Sequence, residues 1–437
     1  MTRQAAWLSR LSRLLHGLYL ACPVWLTAPL RLAAPVRWRS LVRRRFVPLL
    51  DPHTAPLALR RAQADTPADA ADVCLFGPWH AVFGIGEAAR ATAHACRAAG
   101  LKIELYELRM RGLHPHLDAE LEPLLTQLPR AQVQVFCCNA DTMMGLGPVH
   151  CRAAWPGRYR IGTWFWELER FPRAWLSALD EVDELWAASP HIQAMLAAET
   201  DKPVIYMSPA VDFELARAYT RREFGLAEEA FLCLFSYDFS AAMERKNPRA
   251  CIAAFRRAFP QGGEDAMLVI KTLYAERDPE SWAALQALAR EDGRIVLRDE
   301  ALARADFYGL LSVCDVYLSL HRAEGLGLGM AEAMRLGKPV VATGYSGNLA
   351  FMNADNSCLV DYARMAVAPG AYAHAEGQSW AEPDIDHAAR HLRRLHEDRP
   401  FGAALGARAA AHMREHHSLA AAGACVGARL AQLRGCR

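Results

Sequence analysis

No Asp, Glu or Lys occurs in the first 50 residues, whereas this segment contains nine Arg. The other 387 residues carry 41 basic and 48 acidic side chains, so the bulk of the chain is mildly acidic. Nucleic-acid binding usually requires a basic surface on the folded body, because Lys and Arg neutralise the phosphates. We therefore expect no nucleic-acid partner, and we assign the positive charge to an N-terminal extension.

The chain also lacks closely spaced cysteine pairs. None of its 12 Cys forms a Cys-x-x-Cys pair, and Cys74, Cys233 and Cys314 lie inside apolar runs. This distribution is typical of buried, unpaired thiols. It argues against the disulfide framework of a small secreted protein and against a zinc site, and it favours a reducing, cytoplasmic location.

The apolar run near the N-terminus, residues 14–30, is short for a membrane-spanning helix and contains Pro23 and Pro29. Apolar residues at helical spacing share one face there: Trp7, Leu11, Leu14, Leu15 and Leu18. With the arginines at 31–45, they predict a basic amphipathic helix that contacts an anionic membrane surface through residues 1–50.

Two alternatives remain for this segment. The helix can dock on the folded body with a solvated basic tail, or it can be a signal peptide. The downstream arginines would hinder translocation, and no clean cleavage site follows. Residues 51–70 have the composition of a linker, so we assign residues 1–70 to the extension and linker.

After residue 70 the chain alternates short apolar strands with helices, which predicts an α/β fold with parallel sheets. In the first half, residues 71–208, a strand at 73–76 precedes a loop rich in Gly and aromatic residues, which runs to Gly86. A helix at 87–99 and another strand follow. Gly84 and Gly86 stand at the helix start, where a ligand can approach the backbone. The dinucleotide fingerprint is incomplete, and a tight turn that only packs is the alternative.

An aromatic and acidic segment follows a strand that begins at residue 159. Trp166 and Glu167 lie within it, and aromatic faces beside carboxylates often hold sugars. A core aromatic cluster is the alternative. Asn139 stands at the end of an earlier strand, and His80 lies in the loop after the first strand.

In the second half, residues 209–385, a strand at 231–235 is followed by a polar loop that carries Arg245 and Lys246. A helix at 249–259 comes next. Ligands of open α/β sheets bind beyond the C-terminal ends of strands, and two cations there suit a diphosphate. Solvated cations at a helix start are the alternative.

Glu324 lies in a glycine-rich loop between a strand at 316–320 and a helix at 330–336, and Glu332 lies on that helix. Glycines at a helix N-terminus form an anion site. A carboxylate accepts two hydrogen bonds from a vicinal diol, so the two glutamates suit a sugar ring and a ribose. A helix-dipole role for Glu332 explains neither Glu324 nor the glycines.

The segment 324–334, continuing to 337–343, resembles the E-x7-E signature of the retaining GT-B glycosyltransferases of the bacterial group 1 family, family four. Gly84-Ile85-Gly86-Glu87, Arg245-Lys246-Asn247-Pro248 and Ser346-Gly347-Asn348 stand in the expected order. The resemblance covers about residues 72–385. It implies two Rossmann-like domains that face each other across a cleft, with the last of the C-terminal helices (386–437) packing back on the first domain.

The resemblance also implies the roles of particular residues. Glu332 and the Gly84–Gly86 loop would bind the donor, and Glu324 would hold its hexose together with the backbone of Gly325, Leu326, Gly327 and Leu328. Arg245 and Lys246 would neutralise the diphosphate in place of a metal, so no cofactor is expected. Relatives often separate these two cations. In relatives a histidine that contacts the donor sugar often stands near the position of Asn139, so the resemblance makes Asn139, or in its place Glu167 or His80, a candidate for contact with the acceptor or the sugar.

We therefore expect a retaining, metal-independent glycosyltransferase that moves a hexose from a nucleotide-diphosphate sugar to a glycan or lipid-linked acceptor. The pathway would be surface polysaccharide biosynthesis, at the inner face of the cytoplasmic membrane. The competing interpretation is a catalytically silent GT-B module that binds a nucleotide sugar or a partner protein. An epimerase and, less favoured, a dehydrogenase are further alternatives.

Overall fold

The computed structural model describes residues 70–108, 120–146, 157–260 and 265–435. The predicted N-terminal amphipathic helix and basic segment lie outside these residues. No helix among the described residues is both long enough and apolar enough to cross a bilayer.

The first half of the described chain forms a six-stranded parallel sheet flanked by helices. Its strands are β1 (Val73–Gly77), β2 (Ile103–Glu107), β3 (Val133–Phe136), β4 (Tyr159–Thr163), β5 (Glu184–Ala187) and β6 (Val204–Tyr206), and its helices are α1 (Gly84–Ala98), α2 (Ala140–Gly145) and α3 (Pro190–Ala197). The strand order is β2-β1-β3-β4-β5-β6. Short, wholly buried apolar strands such as β1 are typical of a sheet covered on both faces. We call these elements the first lobe.

The second half repeats this architecture. Its strands are β7 (Phe231–Ser236), β8 (Ala266–Thr272), β9 (Ile295–Asp299), β10 (Val316–Ser319), β11 (Val340–Thr343) and β12 (Cys358–Val360), and its helices are α4 (Met243–Lys246), α5 (Pro248–Ala258), α6 (Pro279–Arg290), α7 (Arg304–Val313) and α8 (Leu328–Arg335). The order β12-β11-β10-β7-β8-β9 makes β7 and β10 neighbours at the point where the order reverses. We call these elements the second lobe. Two α/β lobes with parallel sheets confirm the predicted fold class.

Two local predictions need correction. Helix α1 begins at Gly84 rather than Glu87, so Gly84 and Gly86 belong to its first turn and not to the preceding loop. A Cβ on Gly86 would lie 2.5 Å from the carbonyl oxygen of Ala81, so this glycine permits close backbone packing. Arg245 and Lys246 lie on the single-turn helix α4 rather than in a loop, because Asn247 ends that turn with φ 54° and caps α5.

A hairpin connects the two lobes on one side. It consists of β13 (Tyr362–Ala366) and β14 (Ser379–Pro383), which pair antiparallel. Trp380 of β14 is buried in the same apolar cluster as Phe76, Phe136 and Trp164 of the first lobe. The lobes therefore share a continuous core there.

The C-terminal helices are α9 (Ile385–Glu397), α10 (Arg399–His416) and α11 (Leu419–Gly435). Val426 and Leu430 of α11 pack in a cluster with Val73 and Leu75 of the first sheet. Arg429 Nε also donates a 3.0 Å hydrogen bond to Glu184 Oε1. The last helix thus returns from the second lobe to the first.

All nine described cysteines are free thiols, and only Cys425 is exposed. This agrees with the buried, unpaired thiols expected from the sequence.

Candidate functional site

A cavity of about 590 Å³ lies between the lobes and is lined by residues of both. Twelve of the predicted site residues line it: Gly84, Asn139, Trp166, Glu167, Arg245, Lys246, Glu324, Gly325, Leu326, Gly327, Leu328 and Glu332. The sequence-based candidates from both halves of the chain therefore meet in one place.

The topology of the second sheet explains how these residues come together. The segment after β7 carries Arg245 and Lys246, and the segment after β10 carries Glu324. Because β7 and β10 are adjacent and parallel, their C-terminal ends open at the same edge of the sheet. The strand order reverses at this pair, which is where open α/β sheets bind ligands.

Glu324 is held by two cations. Lys246 Nζ donates to Glu324 Oε1, and Arg245 Nη1 lies 3.2 Å from Glu324 Oε2. The carboxyl is only 6% exposed. Burial by itself would raise the pKa of this carboxyl, but Lys246 and Arg245 outweigh burial and lower it to about 2. Glu324 is thus a permanent anion at the cavity wall.

The adjacent cations Arg245 and Lys246 have different surroundings. Arg245 is buried, donates a 2.8 Å hydrogen bond to the carbonyl oxygen of Ala323, and lies 3.3 Å from Glu167 of the first lobe. The Lys246 side chain is 19% exposed. Arg245 is therefore committed to protein partners, whereas the ammonium of Lys246 is the more accessible of the two.

Glu332 lies on α8 and is 2% exposed. Its Oε1 accepts a hydrogen bond from Nη2 of Arg304, the first residue of α7. Burial raises the pKa of Glu332 to about 7, although Arg304 acts in the opposite direction. Sequence reasoning missed Arg304, because no motif surrounds it and only the fold brings α7 against α8.

The glycine-rich loop between β10 and α8 is held from two sides. Ser189 Oγ of the first lobe donates a 2.7 Å hydrogen bond to the carbonyl oxygen of Gly325. On the other side, a Cβ on Gly347 would lie 2.0 Å from that same oxygen. The Ser346-Gly347-Asn348 element therefore packs directly against the backbone of this loop.

The first-lobe side of the cavity combines aromatic rings with one carboxylate. Trp166 is nearly buried and donates from Nε1 to the carbonyl oxygen of Arg170, and its ring centroid lies 5.0 Å from that of Trp175. Glu167 accepts a hydrogen bond from Tyr372 Oη and faces Arg245. Trp166 is thus core and cavity wall at once, and its contact with a sugar stays a prediction.

Asn139 lies in the cavity wall with its side chain engaged, because its Oδ1 accepts a 2.9 Å hydrogen bond from the backbone N–H of Phe165. Tyr372 was missed from the sequence, since it lies in the connection between β13 and β14, far from any motif.

Two predicted site residues lie outside this cavity. His80 is placed between carboxylates of the first lobe, with Nδ1 2.7 Å from Glu107 and Nε2 2.9 Å from Glu122. Gly86 faces the carbonyl oxygen of Ala81 rather than the cavity. The structure therefore gives His80 two carboxylate partners in the first lobe and gives Gly86 a packing role, so neither residue lines this cavity.

Comparison with known proteins was made by sequence family and by structure. Residues 235–373 match the family described as glycosyl transferases group 1. This match contains Arg245, Lys246, Glu324 and Glu332. A search of curated proteins by sequence found no match.

Solved structures resemble the whole described fold. Sucrose-phosphate synthase from Thermosynechococcus elongatus superposes with a TM-score of 0.62 and 15% identity, over 84% of this chain and 99% of the other. Anabaena HepE in complex with UDP and glucose superposes with a TM-score of 0.60 and 15% identity, over 82% of this chain and 99% of HepE. A glycosyltransferase from Rickettsia africae superposes with a TM-score of 0.60 and 11% identity, over 83% of this chain and 98% of the other. The two-lobed arrangement is thus the GT-B fold, and with the family match it supports a GT-B glycosyltransferase.

Proposed function

We propose that this protein is a retaining glycosyltransferase that moves a hexose from a nucleotide-diphosphate sugar to a glycan or lipid-linked acceptor. The pathway is surface polysaccharide biosynthesis. The observation that carries the proposal is the contact between Lys246 and Glu324 at the wall of the interlobe cavity. Glu332, on the helix α8 that follows the glycine-rich loop, lines the same cavity. The contact between Lys246 and Glu324 supports the proposal because it brings a cation, an anion and a glycine-rich backbone together at one wall of the cavity, which are the groups that binding of a sugar diphosphate requires.

Lys246 neutralises the diphosphate leaving group in this proposal. Glycosyl transfer builds negative charge on the departing phosphate, and a fixed cation lowers the barrier where that charge develops. Arg245 supports this role at longer range. Its guanidinium orients Glu324 and lies in the cavity wall between Glu324 and Glu167.

Glu324 and the Gly325–Leu328 backbone bind the hexose, and Glu332 accepts the ribose hydroxyls. A carboxylate with two free lone-pair sites matches a vicinal diol, and the low pKa of Glu324 keeps that carboxylate ionised. Gly84, at the N-terminus of α1, faces the same cavity from the first lobe.

Transfer with retention forms the bond from the acceptor oxygen to the anomeric carbon on the face from which the phosphate departs. The bond from the anomeric carbon to the phosphate oxygen breaks, and that oxygen takes the acceptor proton. The donor itself thus supplies the base, so the proposed reaction uses neither a cofactor nor a metal ion. Enclosure between the lobes excludes water that would otherwise hydrolyse the donor.

UDP-sugars are the first donors to examine, because Anabaena HepE has been solved with UDP-glucose and shares this fold. A thermal-shift panel of UDP-, GDP-, ADP- and dTDP-sugars identifies the donor, since a bound ligand raises the melting temperature by mass action. Anomeric analysis of the product by NMR then tests retention.

Product of inverted configuration would contradict the retaining mechanism. A donor that binds but is neither transferred nor hydrolysed would favour a silent GT-B module. Interconversion of free nucleotide sugars without acceptor would indicate an epimerase.

A further inference from the structure

The guanidinium of Arg304 lies between two carboxylates from different lobes. Its Nη2 donates to Glu332 Oε1 in the second lobe, and its Nε lies 3.8 Å from Glu87 Oε2 in the first turn of α1. The other oxygen of Glu87 accepts a 2.6 Å hydrogen bond from Arg90 Nη2. Arg304 is therefore the charge that joins Glu332 to the first lobe.

Arg304 is also fixed by aromatic contacts. Its Nε donates a 2.9 Å hydrogen bond to Tyr308 Oη one helical turn later, and its Cζ lies 4.7 Å from the ring centroid of Tyr308. Arg304, Glu87, Glu332 and Tyr308 all line the interlobe cavity. The guanidinium thus has one defined position at the edge of the proposed ribose site.

We infer that Arg304 is a positioning residue for donor recognition, which holds the Glu332 carboxylate in the cavity as an anion and ties it to Glu87 of the first lobe. The inference deepens the proposed function and rests on the donor role of Glu332. An ionised carboxylate offers both oxygens as acceptors to the two ribose hydroxyls, whereas protonation turns one of these oxygens into a donor and so weakens the match to a diol.

The charge of Glu332 depends on its neighbours because its carboxyl is buried. The titratable groups that face it are Arg304, Glu87, Tyr308 and Tyr317. Burial raises the pKa of Glu332, Arg304 lowers it, and Glu87 raises it. Removal of Arg304 should therefore raise the pKa of Glu332 further and increase its protonated fraction at neutral pH, and removal of Glu87 should act in the opposite direction.

The test is calorimetric titration of the full-length protein with UDP between about pH 6 and pH 8.5, with GDP, ADP and dTDP as parallel probes. Wild type should lose affinity as the pH falls through the pKa of Glu332. In Arg304→Gln the midpoint of this dependence should rise by about one pH unit or more, as expected for loss of an opposite charge in hydrogen-bond contact. In Glu87→Gln the midpoint should fall.

Three further variants separate a positioning role from simple loss of structure. In Arg304→Lys the midpoint of the pH dependence should lie between those of Arg304→Gln and wild type. Glu332→Gln should remove the pH-dependent step that Glu332 causes. Arg290→Gln, at an exposed position of α6, should bind UDP with the same pH dependence as wild type. The titration of the UDP phosphate itself is common to all variants and cancels.

Unchanged midpoints in Arg304→Gln and Glu87→Gln, with UDP binding intact, would overturn the inference and leave the proposed function standing. Failure of the wild type to bind UDP, GDP, ADP or dTDP would instead refute the proposed function, and the role of Arg304 with it.

Discussion

Ser189 Oγ donates a hydrogen bond to the carbonyl oxygen of Gly325 across the boundary between the two lobes, at 2.7 Å. Ser189 is completely buried and also caps helix α3, because the same oxygen accepts from the backbone N–H of Ile192. One hydroxyl of the first lobe thus fixes both a helix start and the position of the glycine-rich loop in the second lobe.

Ser189→Ala should lower both stability and turnover. Loss of the cap and of a buried hydrogen bond should reduce the free energy of unfolding by about 1–2 kcal/mol. Release of the Gly325 carbonyl should also lower kcat/KM, because the loop would no longer be held. Urea unfolding and transfer kinetics measure the two effects. Asp398→Ala, which removes only the cap of α10, should reduce stability and leave kcat/KM unchanged. Equal kinetic effects in both variants would contradict a specific role of Ser189.

Lys246→Ala should lower kcat/KM by about a hundredfold or more, because it removes the accessible cation at the diphosphate site. Steady-state kinetics with the identified donor provides the measurement, after thermal melting has established that the variant folds. Lys338→Ala, outside the cavity, is the matched control and should behave as wild type. Turnover near wild type in Lys246→Ala would remove its assignment as the leaving-group cation.

Glu324 should contribute stability that depends on pH in a defined window. Its pKa is lowered to about 2 in the folded state, against 4.5 for an unperturbed glutamate, so its stabilising effect is complete above pH 4.5 and is lost as the pH falls toward 2. This shift corresponds to about 3 kcal/mol. The difference in unfolding free energy between wild type and Glu324→Gln should therefore shrink over this interval, as measured by urea denaturation. A difference for Glu324→Gln that stays constant over this interval would refute the buried ion-pair arrangement.

Gly347→Ala should distort the glycine-rich loop. The added Cβ would lie 2.0 Å from the carbonyl oxygen of Gly325 and 2.7 Å from that of Glu324, so the backbone must move. We expect a loss of at least about 1–3 kcal/mol in unfolding free energy, as for other overpacked sites, together with reduced kcat/KM. Gly293→Ala adds the same methyl group in open space and should change neither the unfolding free energy nor kcat/KM. A tolerated Gly347→Ala would mean that the loop is not packed as described.

Deletion of residues 1–50 should reduce co-sedimentation with anionic liposomes and leave the hydrolysis of soluble donor intact. The reason is that this segment concentrates nine arginines next to apolar residues at helical spacing. Liposomes of neutral lipid provide the control. Undiminished pelleting of the truncated protein with anionic liposomes would refute membrane contact by residues 1–50.

The sequence alone predicted the alternation of strands and helices and the pair Glu324/Glu332. These features are local, because strand runs, capping residues and glycine-rich turns act over a few neighbouring positions. The same locality explains why the sequence did not reveal the surroundings of Gly86 and His80. Nothing near Gly86 in the sequence indicates that its backbone packs against Ala81, and nothing near His80 indicates that Glu107 and Glu122 hold it.

Only the tertiary structure decided which of these residues meet. Lys246 and Glu324 are 78 positions apart, and they touch because β7 and β10 are neighbours in the sheet. Arg304 and Tyr372 entered the site for the same reason, since the packing of α7 against α8 and the hairpin between the lobes bring them to Glu332 and Glu167. Residue types and local spacing determined which functional groups the chain carries. Strand order and lobe packing determined which of these groups contact each other, because the charge state of a buried side chain depends on its neighbours in space rather than in sequence.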